Sequence, residues 1–433
     1  MPSIERIVSD RITEHITNFS LSDPYQSAYK RFHGTETALL RVNNDILTAL
    51  DNGKITALVL LDLSAAFDTV DHNVLISRLH NQLGIQDKAL DWCKSYLSNR
   101  PQHVRIGTAI SKPTVLSYSV PQGSVLGPQW FTVYTYPIRN IIRKYGLNYH
   151  IYADDTQLYI SFDSSQTDAN ACIATLELCI NEIRQWMKCN FLKLNDDKTE
   201  FLLFGSHQRL SKINIDHISI GDSSIAPVSQ ARNLGAIFDS SMTMKPHVSN
   251  VIRSSTLQLR NISRIRKYLS RDAAEQIIHS FVTSRLDNNN ALLYGLPENQ
   301  IHRLQKIQNT AARILTFSRK YCHITPILKE LHWLPISQRI MFKILLIVYK
   351  CNNNVAPLYL SELLSNYVPT RTLRSGSREL LQESKSSHTW GDRSFAIAAP
   401  RLWNELPLNI RNANNVDTFK KLLKTRMMSK TYC

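Results

Sequence analysis

The chain has 433 residues, 43% hydrophobic and 20% charged, with a formal net charge of +16, so it can bury a core and is not a disordered polyelectrolyte. Seven scattered cysteines with no C-x-x-C pair argue against a disulfide framework and a zinc site and for a reducing compartment. No basic-then-apolar leader follows Met1, and no run approaches the ~18–20 apolar residues of a membrane span, so a soluble protein without a membrane partner is expected.

Apolar residues Ile4, Ile7, Val8, Ile12 and Ile16 fall at helical spacing and predict an amphipathic helix over 4–18. A polar stretch carrying Lys30 and Arg31 leads into a second helix that ends near Leu50. These two cations suit either solvent or a phosphate. The unbroken apolar run 55–61 predicts a fully buried strand. It ends on Asp62, a carboxylate that is costly there unless paired or metal-bound. Helices are expected over 73–83, where Gly84 stops the first, and over 90–97, then a strand over 101–107. Pro121-Gln122-Gly123 opens a helix over 124–145 that Pro137 interrupts or kinks. Glycine lets backbone approach a ligand, and a helix N-terminus offers unpaired N–H groups.

Residues 147–153 and 156–160 read as two short strands with Asp154 and Asp155 at the turn between them. A solvated Asp-rich turn is one reading. A third carboxylate, Asp62, at the end of a buried strand favours another, in which neighbouring strand ends hold two hard cations about 4 Å apart. Oxygen-only ligands of this kind favour Mg²⁺. An amphipathic helix over 168–188 follows, then a polar loop with Lys198 and a strand over 201–204. From Val248 the register turns helical, over 248–269, 273–286 and 300–317. Residues 1–250 hold 23 basic and 24 acidic side chains, whereas 251–433 hold 28 and 11; this places chemistry first and a polyanion grip second. Arg253, Arg260, Arg264, Arg266 and Lys267 lie near helical spacing. A solvated helix face usually mixes signs, so phosphate contact is the favoured reading. A helix over 332–350, a polar stretch over 353–378 and a lysine-rich end (Lys420, Lys421, Lys424, Lys430) complete the chain.

Asp62 with Phe67 five residues on, Ser119-Val120-Pro121-Gln122-Gly123-Ser124-Val125-Leu126-Gly127-Pro128, and Tyr152-Ala153-Asp154-Asp155 resemble, in that order, three successive motifs of reverse transcriptases. Their phrasing resembles the jockey-type branch of non-LTR (LINE) retrotransposons. The resemblance covers roughly residues 1–320, and the remainder looks like the C-terminal extension of the same elements. It implies an α+β right-hand polymerase with a fingers remnant over 1–54, a palm of antiparallel sheet and flanking helices over 55–245 (with a fingers insert near 80–115), a helical thumb over 246–320 and a basic extension over 321–433. It implies RNA-directed DNA synthesis in retrotransposition, from an RNA template, a DNA primer and dNTPs, in the nucleus or cytoplasm.

Carried onto this sequence, the resemblance makes Asp62, Asp154 and Asp155 catalytic, with Lys198 placed to protonate the leaving pyrophosphate. Asp62, Leu63, Asp154 and Asp155 become the ligands of two Mg²⁺ ions, for which Mn²⁺ can substitute. Nucleotide contacts fall to Lys30, Arg31, Leu63, Phe67, Pro121, Gln122, Gly123 and Tyr152, with Phe67 under the sugar, where a bulky ring collides with a 2′-hydroxyl. An ordinary core role for Phe67 is the alternative. Nucleic-acid contacts fall to Arg260, Arg264 and Lys267, and to Leu234 and Gly235 in a primer-grip strand over 233–239.

Four departures stand out. Ala28 and Ser119 replace glycines, Lys30 takes a basic slot usual for arginine, and 129–137 replaces a more aliphatic run. The resemblance implies a fingers hairpin and a nuclease domain upstream of this segment, so an N-terminally truncated copy is the expectation. A catalytically impaired nucleic-acid-binding remnant is therefore the second reading. Another palm-fold phosphotransferase, such as a cyclase, fits the basic second half less well.

Overall fold

The apolar run Ile55–Leu61 is a strand, buried at every position but Leu60. In this computed structural model, which describes residues 2–64, 67–121, 123–368 and 379–432, the strand sits inside a four-stranded sheet. The order is Glu200–Phe204, Ile55–Leu61, Asp155–Phe162, Asn148–Tyr152. Elements are mixed helix and sheet throughout, an α+β architecture. The chain forms two compact units, residues 1–31, 57–201 and 213–227, and residues 32–56, 202–212 and 228–433. The stretch 1–54, expected as one piece, is thus shared between them.

In the first unit Asn148–Tyr152 and Asp155–Phe162 make an antiparallel hairpin with Tyr152 opposite Asp155. Only Ala153 and Asp154 are left to turn the chain. Ala153 takes φ +59°, the sign that a two-residue hairpin wants at its first loop position because it matches strand twist. The outer edge of Asn148–Tyr152 is covered by the segment after the helix Pro2–Asn18: the Ile151 N–H donates to the Tyr25 carbonyl and the Ser27 N–H to the Ile151 carbonyl, each at 2.9 Å. Helix Gln166–Cys189 begins on Ser165, whose Oγ accepts from the Asp168 N–H, and buries Leu176, Ile180, Ile183 and Met187. The helix expected over 124–145 comes in two pieces, Gly127–Thr135 and Ile138–Lys144. The break falls where Pro137 has no N–H to continue the ladder. In place of one strand over 101–107 there are four two-residue strands between Pro101 and Val115, all exposed.

In the second unit helix Thr35–Asp51 buries Leu39, Val42, Ile46 and Leu47. Its polar residues are also committed. The Asp51 carboxylate accepts from the N–H groups of Ser387, His388 and Gly391 at 2.7–3.1 Å, and Asn44 Oδ1 accepts from the Ala396 N–H at 2.9 Å. The expected strand over 233–239 is instead a hairpin, Gln230–Asn233 against Ala236–Asp239. Leu234 and Gly235 both take positive φ, +43° and +88°, as the tightest hairpin turns require. Long helices follow: Lys245–Ile265, Glu298–Thr316, Ile336–Asn352 and Val416–Tyr432. The Tyr349 and Phe419 rings stack at 4.2 Å between the last two. No helix among the described residues is long and apolar enough to cross a membrane.

Candidate active site

Asp62 stands where the buried strand Ile55–Leu61 ends and the two-residue strand Leu63–Ser64 begins. That short strand pairs antiparallel with Lys193–Leu194, Leu63 opposite Leu194, and the Asn195 N–H donates to the Asp62 carbonyl at 2.9 Å. The pairing carries the next turn, Asp196–Lys198, to the same place. Lys198 Nζ lies 3.2 Å from Asp62 Oδ2, with the lysine side chain 68% exposed and the aspartate 24%. This contact is an ion pair without hydrogen-bond geometry, because Asp62 Oδ2 is buried and makes no hydrogen bond.

The hairpin turn brings the other carboxylates to Asp62. The Asp155 carboxyl is pushed up to about 6, by partial desolvation first and then by the negative charges of Asp154 and Asp62, with Lys198 opposing. Asp155 as a whole keeps an exposed face, which makes repulsion by its two neighbours the weightier cause. Three carboxylates and one ammonium from distant parts of the sequence therefore share one electrostatic neighbourhood.

Among the described residues no three His, Cys, Asp or Glu side chains form a cage able to hold a metal ion alone. The donor set still suits a hard divalent cation. Mg²⁺ keeps waters and takes further oxygens from phosphates, needing only one or two protein carboxylates. The unbonded Asp62 Oδ2 and the mutual repulsion around Asp155 are what such a cation would relieve. Leu63, whose side chain is buried, could contribute only backbone.

Phe67 stacks on the buried ring of Phe131, centroids 4.6 Å apart, and its carbonyl accepts from the Val120 N–H at 3.2 Å. That bond, with Ser119 N–H donating to the Val70 carbonyl at 2.8 Å, ties the turn after Asp62 to the Ser119–Pro121 stretch. Ser119 takes φ +85°, a conformation that favours glycine. Gly123 has φ +81° with open space where a Cβ would stand, so its backbone conformation is what asks for glycine. At Gly127 the need is room: a Cβ would fall 2.8 Å from Ser124 Oγ and 3.1 Å from the Pro121 carbonyl. Gln122 lies outside the described residues.

Lys30 does not point a charge outward. Its Nζ donates to the Asp23 carbonyl, and its pKa is lowered to about 8, chiefly by burial, with the Asp23 carboxylate opposing and Arg139 adding to the shift. Arg31 is the exposed cation of the pair. Sequence reasoning missed Tyr29, whose hydroxyl pKa is raised by burial first and then by Asp154 and Tyr152. It precedes Lys30 directly, and the edge pairing of Tyr25–Ser27 is what carries it to the Asp-Asp turn.

The remaining expected residues belong to the second unit. The Leu234 carbonyl accepts from Asn289 Nδ2 at 3.3 Å. Arg260, Arg264 and Lys267 are exposed. Arg266, in the same basic run, is buried and donates to the carbonyls of Leu269, Ile314 and Leu315, so it holds helices together.

Residues 3–238 match the family described as reverse transcriptase (RNA-dependent DNA polymerase). The chain is 26% identical over 344 residues to the probable RNA-directed DNA polymerase from transposon BS of Drosophila melanogaster, covering 78% of this chain and 37% of that protein. It is 26% identical over 258 residues to the RNA-directed DNA polymerase from mobile element jockey of Drosophila funebris, covering 58% and 27%. It thus spans little more than a third, at most, of the length of these relatives. Among solved structures it is similar to telomerase from Candida albicans in complex with a fragment of telomeric RNA, with a TM-score of 0.36, 11% identity, and 79% and 54% of the two chains covered.

Proposed function

This chain belongs to the reverse transcriptase (RNA-dependent DNA polymerase) family, and from that premise we propose that it extends a DNA primer 3′-hydroxyl on an RNA template with dNTPs, in retrotransposition, in the nucleus or cytoplasm. The observation that carries this reading is the convergence of Asp62, Asp154 and Asp155 with Lys198 around one neighbourhood. Polymerases of this family use divalent metal ions, and Mg²⁺, replaceable by Mn²⁺, is the ion proposed here. Asp62, Asp154, Asp155 and the Leu63 backbone would hold it. Bound there, it would supply Lewis acidity to the attacking hydroxyl and to the leaving pyrophosphate.

The chain's own groups have separate tasks in this reading. Asp62 and Asp154, at neighbouring strand ends, would hold the cation through which phosphate-bearing ligands are oriented. Lys198, ion-paired with Asp62 yet open to solvent, carries a proton to the leaving pyrophosphate. Phe67, braced by Phe131, stands under the sugar; Pro121, Gln122 and Gly123 shape the nucleotide's floor, with Tyr152 and Tyr29 beside the Asp-Asp turn. Lys30 and Arg31 lie on the side of the triphosphate, with Arg31 the more exposed of the two. In this reading the functional parts take the bounds that the resemblance implies, which cut across the two compact units: fingers remnant 1–54, palm 55–245 with a fingers insert near 80–115, thumb 246–320 with Arg260, Arg264 and Lys267 on phosphates, extension 321–433, and the Leu234–Gly235 turn as primer grip.

Primer extension by the purified chain on an RNA–DNA hybrid with dNTPs and Mg²⁺ tests this. Asp154→Asn is expected to lower extension by more than about 10²-fold, given what removing one transition-state stabiliser costs, with an unchanged circular-dichroism spectrum. An unsubstituted chain that binds the hybrid and adds no nucleotide sinks the catalytic reading and leaves a nucleic-acid-binding remnant. For the sugar gate, Phe67→Val is expected to raise ribonucleotide over deoxynucleotide incorporation. An unchanged ratio, with a stability loss of about 1–3 kcal/mol as for a trimmed core side chain, assigns Phe67 to packing alone.

A further inference from the structure

Two stretches of this sequence hold no Asp or Glu: 240–271 carries seven lysines and arginines, and 299–329 carries six. The fold lays them side by side, helix Lys245–Ile265 against helix Glu298–Thr316. Arg303 Nη2 donates to Ser249 Oγ at 3.0 Å near the start of both helices. Near their ends Arg266 donates to the Ile314 and Leu315 carbonyls. Where both helices end, an open cavity of about 760 Å³ lies within the second unit. Its charged lining is Arg266, Lys267, Lys306, Arg313 and Lys320, and no carboxylate shares it. The acids that bound the two stretches, Asp239, Asp272, Glu298 and Glu330, line no part of it.

Cations at helix ends have an ordinary use, and two of the five show it. Arg266 is tied to backbone carbonyls, and Arg313 Nη2 donates to the Cys322 carbonyl at 3.2 Å, as side chains near a helix C-terminus do. Lys306 stands in mid-helix and Lys320 beyond the helix end, both exposed. Their ammonium groups have neither ion pair nor hydrogen bond among the described residues. Like charges gathered around one cavity repel one another, and a polyanion seated there would relieve that repulsion.

Charge alone suits any polyanion; the rings narrow the choice. Phe317, in the lining, takes φ +55° just past helix Glu298–Thr316 and is 65% exposed. The Arg266 guanidinium lies 4.2 Å from its centroid. Backbone carbonyls fix that guanidinium, so the ring is braced by it and still open to solvent. Tyr268 and Tyr321 directly follow the lining residues Lys267 and Lys320 and are 76% and 77% exposed. Each also has a cation over its ring, Lys267 at 4.8 Å and Arg319 at 5.9 Å. Unpaired bases stack on such rings while the backbone follows the cations. A duplex keeps its bases stacked on one another, and a bare polyphosphate has none.

We propose that this cavity and its three rings bind an unpaired nucleic-acid strand, with bases on Phe317, Tyr268 and Tyr321 and phosphates at Lys267, Lys306 and Lys320. Only Lys267 is shared with the phosphate contacts proposed above, and the unpaired strand rests on the rings rather than on the polymerase reading.

The test titrates the full chain, without dNTP or divalent cation, against fluorescent strands of about ten nucleotides, within the usual site size. RNA, DNA of the same sequence and a duplex of that sequence are compared by anisotropy. Phe317→Ala and Tyr268→Ala are each expected to weaken single-strand binding about tenfold, the worth of one stacked base, and to leave duplex binding unchanged. Phe317→Trp should keep the affinity of the unsubstituted chain. Lys306→Ala combined with Lys320→Ala should flatten the single-strand log–log salt slope by up to about 1.4, roughly 0.7 for each phosphate. The Tyr268 ring is exposed, so its variant folds even if Phe317→Ala does not. A preference between RNA and DNA tells which strand is taken, and equal binding means that both are. Equal losses on strand and duplex would reduce the cavity to plain phosphate contact and overturn the proposal, as would unchanged affinity and slope in every variant. Primer extension by the unsubstituted chain decides the polymerase reading separately, because the binding comparison needs no catalysis.

Discussion

Asp155 shows how one residue links the electrostatics of the site to a measurable pH dependence. Its folded pKa, about 6, lies above the ordinary carboxylate value, so between about 4 and 6 the folded protein holds a proton the unfolded chain has released. Its contribution to stability is therefore full below about pH 4 and is lost as pH rises through 6. Without divalent cation, Asp155→Asn is expected to raise the urea midpoint at pH 7 and to leave it unchanged near pH 3.5. Mn²⁺ affinity should climb with pH up to about 6 and then level, since cation and proton compete for one cluster, and the Asn variant should lose that step. A midpoint difference that grows towards low pH would contradict this assignment.

At the scale of elements, helix Thr35–Asp51 belongs with the C-terminal part of the chain through buried polar groups. Asp51 satisfies three N–H groups at the start of Thr389–Arg393, the role of a capping residue supplied from far away in sequence. Asp51→Ala leaves these donors unmet and is expected to cost about 3 kcal/mol, since unsatisfied buried donors cost about 1–3 kcal/mol each where water cannot reach them. Gly391→Ala should destabilise in the same direction, because its Cβ would lie 2.5 Å from Asp51 Cγ. Denaturant midpoints for both variants check this; values within experimental error of the unsubstituted chain would mean that water replaces the carboxylate.

For the molecule as a whole, the excess of positive charge after residue 250 makes a salt-dependent grip on nucleic acid the expected behaviour. Residues 32–56 and 202–212 belong with 228–433 in one compact unit, so the grip is tested by substitution in the intact chain, not by cutting near residue 250. Replacing the exposed Arg260, Arg264 and Lys267 together by alanine is expected to flatten the log–log salt slope of hybrid binding by up to about 3, one for each phosphate no longer neutralised. An unchanged slope would place the phosphate-binding cations elsewhere. Arg266 is kept out of that set because its guanidinium ties backbone carbonyls of three residues.

The buried strand that ends on Asp62, the Asp-Asp hairpin, the break at Pro137 and the charge split were legible in the sequence alone. Each follows from local periodicity, backbone chemistry or a count of charges. The tertiary structure decided what depends on contacts between distant residues. Lys30 turns inward because Asp23 offers it a carbonyl, and Tyr29 reaches Asp154 because its segment pairs with a strand more than a hundred positions away. Lys198 meets Asp62 because Leu63–Ser64 pairs with Lys193–Leu194. One arginine of a basic run is buried while its neighbours are exposed. Helical spacing puts residues on a face, but only packing against another element decides whether that face meets water, protein or a ligand.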